Sequence, residues 1–471
     1  MLIWIQKRLA SFDESMFLLA LLLTFIAAAI MGVQSDTWWQ LRTGEIILRT
    51  HTIPITDSYS STVTGAYWPN HEWLSELLFY LLYRPAGLSS LFIAAASIVM
   101  LSWLGLAQLS EGPGRVRAVL MLLCMASQAI IWSVRPHLFS MALIVPTLLL
   151  LSRPRWHWLY PALFLLWANL HAGVAFGGVV LIVASLLALG SDIVAAYQRL
   201  QDFRWRTSAS LHWVGITMLS GLATAINPLG FGLWSYILHS FTEPTRSYLT
   251  EWQAPQINRP ESMPFFLMLM LVILAVLVSW RTWRGKRDWT LILLALIFAW
   301  LGLRSIRHTA FLPIVAMPLL SRPFRDWKVL APQIQRWWLH AILLLTLLLL
   351  GITIISTKWA ATAAQPLDRP LITALQSCPG TLYNTYDTGG ALIWQLPDRP
   401  VFIDNRQDPY PSAFLLNAVL VEQTGAYQAL FSEYQVQCAL ISTKKPIYPA
   451  LISAGWQERG RSDTLVVLKH P

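Results

Sequence analysis

The chain has 471 residues, of which 55% are hydrophobic and only 12% are charged, and its mean hydropathy is +0.51. No water-soluble fold of this length could cover its surface with so few polar residues, so the composition excludes a soluble globular protein and indicates a membrane protein. The net charge of +10 does not indicate nucleic acid as a partner, because the positive-inside rule accounts for the basic residues.

Apolar runs of spanning length, broken at charged residues, Pro and Gly, predict eleven transmembrane helices. Their limits are 16–34, 87–109, 117–134, 138–152, 156–169, 173–190, 211–226, 263–280, 289–303, 309–321 and 338–357. With the N-terminus inside, basic residues concentrate in the inner loops, as at Arg281, Arg284, Lys286 and Arg287. Merging either short pair, 156–169 with 173–190 or 289–303 with 309–321, would move the later basic loops to the wrong side. Eleven spans, with the N-terminus cytoplasmic and the C-terminus outside, therefore satisfy the positive-inside rule.

The first outer loop, residues 35–86, is predicted to be structured. It begins Ser35-Asp36-Thr37-Trp38-Trp39, continues through an amphipathic stretch, Leu41–Leu48, and ends near His71-Glu72-Trp73-Leu74. Trp pairs beside short amphipathic helices favour a segment that lies in the membrane interface. We therefore expect Asp36, His71 and Glu72 at the depth of the lipid headgroups.

The chain is predicted to have a transmembrane domain, residues 1–360, and an outer-face α/β domain, residues 365–471. In the second domain short apolar strands alternate with helices, which predicts a largely parallel sheet. The predicted strands are Thr381–Tyr386, Val401–Asp404 and Gln437–Ser442, followed by a final hairpin of Trp456–Arg461 with Thr464–Lys469. The predicted helices are Gly390–Gln395, helices across Ser412–Tyr434, and Tyr448–Ala454.

Two features of this domain leave alternatives open. Asp404-Asn405-Arg406 ends a predicted strand, where ligand sites of α/β sheets usually lie, but a structural role for Asp404 fits this position as well. Cys378 and Cys438 lie in a compartment that permits a disulfide. The bond also requires Cα atoms within about 7 Å, which the sequence does not give.

Polar residues at the outer ends of the helices form the candidate site. They are Asp36, Asp57, His71, Glu72, Arg135, His137, Asn169, His171, Asn227, Glu251, Arg304, Arg307 and His308. Outer loops are exposed to water and are therefore polar, which explains single polar residues such as Asn169. This exposure explains Arg135, Arg304 and Arg307 less well, because positive charge at the end of an apolar helix is costly without a partner. We expect these arginines to bind an anion.

Six motifs accompany this architecture. They are Asp36-x-Trp38-Trp39, Pro54-x-x-Asp57-x-x-Ser60, His71-Glu72-Trp73-Leu74, Asn227-Pro228-x-Gly230, Glu251-Trp252 and Arg304-x-x-Arg307-His308. Together with the long first outer loop, the odd helix count and the outer C-terminal domain, they resemble the GT-C superfamily, which includes protein O-mannosyltransferases, aminoarabinose transferases and oligosaccharyltransferases. The resemblance implies a bacterial inner-membrane glycosyltransferase. It would transfer a sugar from a polyprenyl-phosphate donor to an acceptor on the extracytoplasmic face.

The resemblance also implies roles for the candidate residues. Asp36 would be the catalytic base, because a phosphate leaving group needs no general acid. Arg304, Arg307, Arg135, His308 and His137 would bind the donor phosphate. The remaining substrate-site candidates are Asp57, His71, Glu72, His171, Asn227 and Glu251.

A cofactor is not certain. Acidic loop residues of GT-C relatives sometimes bind a divalent metal, so Mg²⁺ or Mn²⁺ held by Asp36, His71 and Glu72 is an alternative, although the spacing of these ligands is not diagnostic. The chain departs from several characterised branches in having a single Asp where they have an acidic pair. It also lacks an oligosaccharyltransferase-type acceptor motif in its C-terminal domain. The sugar and the acceptor therefore stay unassigned.

Two other classes of function are alternatives to a transferase. A transporter or flippase for a lipid or a lipid-linked glycan could use the same cations to bind a headgroup, but transporters usually place ionisable residues near the midplane and contain internal repeats. Neither feature is found in the sequence. A non-catalytic membrane scaffold is the third class, and eleven spans exceed what an anchor needs.

Overall fold

A computed structural model of the chain describes residues 11–199, 208–242, 250–279, 286–327, 337–362 and 366–471. The chain folds into two compact units. The helical unit comprises Met1–Met31, Phe92–Ile237 and Leu249–Lys358, and the α/β unit comprises Gly32–Leu91, Leu238–Tyr248 and Trp359–Pro471. The first outer loop therefore belongs to the same unit as the C-terminal domain.

Each of the eleven segments predicted to span the membrane coincides with a helix. These helices are Phe12–Ala29, Leu88–Leu109, Gly114–Gln128, His137–Leu150, Leu159–Leu170, Val174–Arg199, Ala209–Ala223, Met263–Ser279, Lys286–Arg304, Leu312–Ser321 and Trp337–Thr362. A further helix, Gly232–Thr242, was not predicted.

Five helical segments of the described chain are long and apolar enough to cross a membrane. They are Phe12–Ala29, Leu88–Leu109, Val174–Tyr197, Pro260–Val278 and Trp338–Trp359. The protein is therefore an α-helical membrane protein, as the composition predicts. A crossing by all eleven helices stays a prediction, because helices such as Leu312–Ser321, with 10 residues, are shorter than the hydrocarbon core requires.

Charge pairs join helix ends on the predicted inner side of the helical unit. Arg322 is buried, contacts the carboxylate of Asp288 at 2.9 Å and pairs with Glu111. The backbone N–H of Glu111 also donates to the hydroxyl of Ser321 at 2.8 Å. A buried arginine requires such partners, because an unpaired charge in this environment is strongly destabilising.

Among the residues that the structure describes, the α/β unit contains seven α-helices and a four-stranded sheet. The helices are Ser35–Thr50, Trp73–Ala86, Arg369–Gln376, Gly389–Gln395, Ser412–Thr424, Gln428–Glu433 and Ile447–Ser453. The strands are β1 (Thr381–Asn384), β2 (Val436–Ser442), β3 (Gln457–Arg461) and β4 (Leu465–Lys469), in the order β1-β2-β4-β3.

The prediction of a largely parallel sheet is wrong. β1 pairs with β2 in parallel, but β2 with β4 and β3 with β4 are antiparallel. The reason is the hairpin between β3 and β4, which turns β4 against both of its neighbours.

The predicted strand Val401–Asp404 lies outside the sheet. Val401 instead forms an isolated parallel bridge with Ser60 of the first outer loop. The amide of Asn384 replaces part of the missing ladder, because it accepts from the N–H of Phe402 and donates to the carbonyl of Ile403, both at 2.7 Å. The backbone groups of this apolar run are thus satisfied by a side chain and by the first outer loop.

Both faces of the central strand β2 are buried, whereas the edge strand β3 is mostly exposed. In β2, Ala439 and Ile441 pack into one hydrophobic cluster, whereas Cys438 and Leu440 pack into the other. This alternation follows from the period of two along a strand. Cys438 also forms a disulfide with Cys378, with the Cα atoms 6.2 Å apart, which settles the alternative that the sequence left open.

The Trp pair of the first outer loop packs inside the α/β unit. Trp38 and Trp39 are 7% and 5% exposed. The ring of Trp38 lies 6.4 Å from that of Trp394, and the ring of Trp39 lies 5.9 Å from that of Trp68. Both rings are therefore covered by other side chains of this unit. The depth of the loop in the membrane stays a prediction.

Candidate active site

Asp36 lies in the first turn of the helix Ser35–Thr50, whose N-cap is Gln34. The positive end of a helix dipole favours a carboxylate at this position. Asp36 is buried, and the amide Nδ2 of Asn405 donates to its Oδ1 atom and also to the hydroxyl of Ser35, at 2.6 Å. The predicted base is thus held by a residue of the C-terminal domain.

Asp57 takes part in a buried ion pair with Arg406. The guanidinium of Arg406 donates to Asp57 and forms two bonds to Asp404, at 2.8 and 2.7 Å. The rings of Tyr59 and Trp68 lie 4.8 and 4.7 Å from the guanidinium carbon, within range of a cation–π interaction. The carboxylate of Asp57 therefore has a structural role as an ion-pair partner of Arg406.

Arg406 stays positively charged beside these two carboxylates. Burial alone would lower its pKa, but the carboxylates of Asp404 and Asp57 outweigh burial and raise that pKa well above its ordinary value. The hydroxyl of Tyr410 donates to the second oxygen of Asp404 at 2.8 Å. Asp404 is thus fully engaged within the protein, which matches the structural alternative.

His71 and Glu72 lie side by side at the end of the first outer loop. Nε2 of His71 is 3.4 Å from a carboxylate oxygen of Glu72, and Nδ1 donates to the carbonyl of Pro69 at 3.1 Å. Burial alone would lower the pKa of His71, but Glu72 and Asp408 outweigh it and raise that pKa. His71 is therefore stabilised as an imidazolium between two carboxylates.

Glu76 was not predicted as a site residue. It is fully buried in the helix Trp73–Ala86 and accepts from the amide of Asn70 at 2.9 Å. Burial raises its pKa well above the ordinary value, so the neutral acid is favoured. Gly44 packs directly against it, since a Cβ there would lie 2.1 Å from the Glu76 carbonyl oxygen. These contacts hold the helix of Asp36 against the helix that follows Glu72.

In the helical unit, Glu251 joins two of the predicted phosphate-binding arginines. Its two carboxylate oxygens contact Nη1 of Arg135 at 3.0 Å and Nη1 of Arg307 at 3.4 Å. The guanidinium of Arg307 also lies 4.9 Å from the ring of Trp252. Burial alone would raise the pKa of Glu251, but Arg307 and Arg135 lower it to about 2. The expected anion between these arginines is thus supplied, in this structure, by the protein.

The other predicted phosphate-binding residues lie in different surroundings. Arg304 is exposed, with its guanidinium 5.2 Å from the ring of Trp300. His137 donates to the carbonyl of Ile131. The ring of His308 is buried and lies 5.7 Å from the ring of Trp252. Among the described contacts, Arg135 and Arg307 are the only predicted phosphate-binding residues that bind the same carboxylate.

Two further candidates bind nearby groups of the helical unit. Nδ1 of His171 accepts from the N–H of Gly173 at 3.0 Å and lies 2.7 Å from the hydroxyl of Ser140. Asn227 accepts from the N–H of Leu229 at 2.7 Å and closes a turn. These contacts give both residues a structural use, and their role towards a substrate stays a prediction.

The residues expected to hold a metal are not gathered into one cluster. Within the described ranges, no group of three or more His, Cys, Asp or Glu side chains is arranged to hold a metal ion. Asp36 accepts from the amide of Asn405, whereas His71 pairs with Glu72. Among the described residues, Asp36, His71 and Glu72 are therefore not grouped as metal ligands, and a divalent metal at this site stays a prediction.

Sequence reasoning found the polar residues of the first outer loop but not their partners. Asn405 and Arg406 stood out only because they end a predicted strand, and nothing in the sequence connects them with Asp36 or Asp57. The contact of Glu251 with two arginines was also missed. The sequence did give one indication: Arg304 and Arg307 end an apolar helix with no acidic residue nearby in sequence, which requires a distant carboxylate or a ligand.

No protein-family model matches the chain, and no curated protein matches its sequence. Solved structures do resemble it. The apo oligosaccharyltransferase of Archaeoglobus fulgidus aligns with a TM-score of 0.52 and 11% identity, over 92% of this chain and 69% of that chain. AglB from the same organism, in complex with an inhibitory peptide and a dolichol-phosphate, aligns with a TM-score of 0.54 and 10% identity, over 91% and 69%.

ArnT from Cupriavidus metallidurans, bound to undecaprenyl phosphate, aligns with a TM-score of 0.50 and 14% identity, over 96% of this chain and 97% of that chain. These similar structures are GT-C glycosyltransferases. Their low sequence identity limits the comparison to the fold, and at that level it confirms the resemblance found in the motifs. The chain is a polytopic membrane protein with the GT-C fold and a small C-terminal α/β domain.

Proposed function

We propose that the protein is a GT-C-type glycosyltransferase that moves a sugar from a polyprenyl-phosphate donor to an acceptor hydroxyl, on the extracytoplasmic face of a bacterial inner membrane. The GT-C fold supports this class. Two of the similar structures contain a lipid phosphate, a dolichol-phosphate in AglB and undecaprenyl phosphate in ArnT. The observation that carries the proposal is Asp36, a buried carboxylate held by Asn405 directly after the first apolar helix.

In this reaction Asp36 acts as the base that accepts the proton of the acceptor hydroxyl. The acceptor oxygen attacks the anomeric carbon of the sugar while its proton passes to the carboxylate of Asp36. The bond between the anomeric carbon and the phosphate oxygen breaks, and the polyprenyl phosphate leaves with the electron pair. A general base of this kind contributes roughly 10²–10⁴-fold in rate. No general acid is needed, because the phosphate is already a good leaving group.

Arg135 and Arg307 are proposed to bind the donor phosphate. Their shared contact with Glu251 holds both guanidinium groups at one carboxylate, with each group using a terminal nitrogen. The three side chains together carry a net charge of +1, so an added phosphate is electrostatically favoured. Trp252 and Glu251 would fix the two arginines before the donor arrives, which reduces the ordering that binding requires.

The proposal is tested with synthetic undecaprenyl-phosphate-linked hexoses that carry a ¹⁴C-labelled sugar. The purified protein in detergent is mixed with each donor and with an envelope extract of the source cells as the pool of acceptors. We expect release of undecaprenyl phosphate together with label in the extract. A protein that carries the labelled donor across vesicle membranes without releasing undecaprenyl phosphate would instead be a transporter.

The proposed face is tested by cysteine labelling in intact cells. A membrane-impermeant maleimide should label Cys introduced at Ser462 or Thr245 but not at Thr282, of which Thr245 and Thr282 lie outside the described residues. The wild-type background should stay unlabelled, because Cys124 is buried and Cys378 and Cys438 are bonded to each other. Labelling at Thr282 alone would place the proposed site on the cytoplasmic face.

A further inference from the structure

One short segment of the C-terminal domain, Asp404–Asp408, acts on three candidate residues of the first outer loop. Asn405 donates to Asp36, and Arg406 donates to Asp57. Asp408 raises the pKa of His71 by electrostatic attraction. Asn405 is the member of this segment that contacts the proposed base.

We infer that Asn405 is a positioning residue that holds the carboxylate of Asp36 in its reactive orientation, so that the C-terminal domain supplies part of the catalytic machinery. The inference rests on the proposed function. The amide Nδ2 of Asn405 carries two hydrogens and contacts two acceptors, Oδ1 of Asp36 and the hydroxyl of Ser35. Two contacts from one planar amide restrict the rotation of both acceptor side chains.

The position of Asn405 is itself fixed from both sides. Its neighbours Asp404 and Arg406 bind each other through two hydrogen bonds, and the backbone N–H of Arg406 donates to Asp404 at 3.0 Å. The carbonyl of Asn405 accepts from the hydroxyl of Tyr386 at 3.3 Å. Gln407 follows with a φ of 65°, a conformation that is unfavourable for a residue other than glycine and requires support from its surroundings.

The orientation of the Asp36 carboxylate affects the rate of the proposed reaction. A displacement of a reacting group by about 1 Å can lower a rate by about 10²-fold. Loss of the Asn405 amide would remove one hydrogen bond that orients the Asp36 carboxylate, without removing the base itself. We therefore expect Asn405→Ala to lower kcat by about 10- to 100-fold and to leave KM for the undecaprenyl-phosphate-linked hexose within about twofold, since the proposed donor-binding residues are Arg135 and Arg307.

The variant Asn405→Asp gives a second measurement, the pH profile of kcat, which would not change if Asn405 had only a structural role. It removes the donor and adds a second carboxylate next to Asp36, which favours the protonated form of the base. The acid limb of the pH profile of kcat should therefore shift to higher pH. The matched controls are Asn417→Ala and Asn417→Asp, on an exposed asparagine of the same domain, which should change neither kcat nor the pH profile.

A stability cycle checks the contact without using activity. Asn405→Asp should lower Tm more at pH 7 than at pH 4, because the two carboxylates repel each other when ionised, and adding Asp36→Asn should remove most of that loss. Additive changes in Tm would overturn the contact. If wild type transfers sugar and Asp36→Asn does not, unchanged kcat and pH profile in both Asn405 variants overturn the inference alone. A wild-type protein that transfers no sugar overturns the inference and the proposed function together.

Discussion

Arg406 and Asp57 form an ion pair between positions 349 residues apart in the chain, and neither side chain has exposed surface. The pair joins the first outer loop to the C-terminal domain within the α/β unit. Asp404 shares the same guanidinium, so one cation serves two carboxylates. Removal of the cation would leave two buried negative charges without a positive charge beside them, which makes Arg406 the most consequential single residue of this contact.

Arg406→Met should destabilise the α/β unit strongly. Loss of one partner from a buried ion pair costs about 3–5 kcal/mol, which corresponds to a fall in Tm of about 10 °C for a unit of this size. The measurement is thermal unfolding followed by intrinsic fluorescence in detergent. Arg461→Met is the matched control, because Arg461 pairs with Glu458 at the surface of the same domain, where ion pairs contribute little. Similar shifts in the two variants would contradict a special role for the buried pair.

Stability should depend on pH through Glu76. Its folded-state pKa lies above the ordinary value of 4.5, so the folded protein keeps a proton that the unfolded chain has released. This stabilisation is complete below about pH 4.5 and is lost as the pH rises through the folded-state pKa. We expect Glu76→Gln to flatten this part of the Tm profile, whereas Glu433→Gln, on an exposed residue of the same unit, should leave it unchanged. A wild-type Tm that is constant or rises from pH 4.5 to 8 would contradict a neutral Glu76.

The two arginines of the proposed donor site should differ from Arg304. Arg307→Gln removes one of the two cations around Glu251, and a hydrogen bond to a charged group contributes about 1.5–3 kcal/mol. Binding of undecaprenyl phosphate, measured by microscale thermophoresis in detergent, should therefore weaken about 10- to 100-fold. Arg304→Gln should weaken it less, because Arg304 is exposed and lies over Trp300. Unchanged affinity in Arg307→Gln, with the fold intact by Tm, would exclude Arg307 from the donor site.

The helices were predictable because their signal is local. An apolar run such as Met263–Ser279 needs only its own composition to identify it. The strands of the C-terminal domain were also found, but the run Val401–Asp404 was misassigned to the sheet, because Asn384 satisfies its backbone from a distant position. Composition cannot show which partner a buried strand-like segment uses.

The candidate site was predictable only as a list of residues. Asp36 followed from its place after the first apolar helix, but its partner Asn405 lies 369 residues away. Likewise, Glu251 was identified as a polar loop residue, whereas its bonds to Arg135 and Arg307 depend on the packing of helices far apart in sequence. Long-range pairing of charges is set by the tertiary fold, and a single sequence carries no direct signal of it.

Asp36→Asn is the sharpest test of the proposed mechanism. The substitution keeps the size of the side chain and an Oδ1 acceptor for the amide of Asn405, and it removes the basic carboxylate. Because Gln34 rather than Asp36 is the N-cap of the helix, the helix should not lose its cap. We therefore expect Tm to change little while turnover falls roughly 10²–10⁴-fold, or about 3–5 kcal/mol in barrier.

Asp463→Asn, on an exposed residue of the hairpin between β3 and β4, is the control for the loss of one negative charge. The deciding measurement is the release of undecaprenyl phosphate from its hexose conjugate by wild type and both variants at matched protein levels. Turnover in Asp36→Asn within about threefold of wild type would mean that the carboxylate takes no proton in the rate-limiting step, because a surface charge alone accounts for changes of that size.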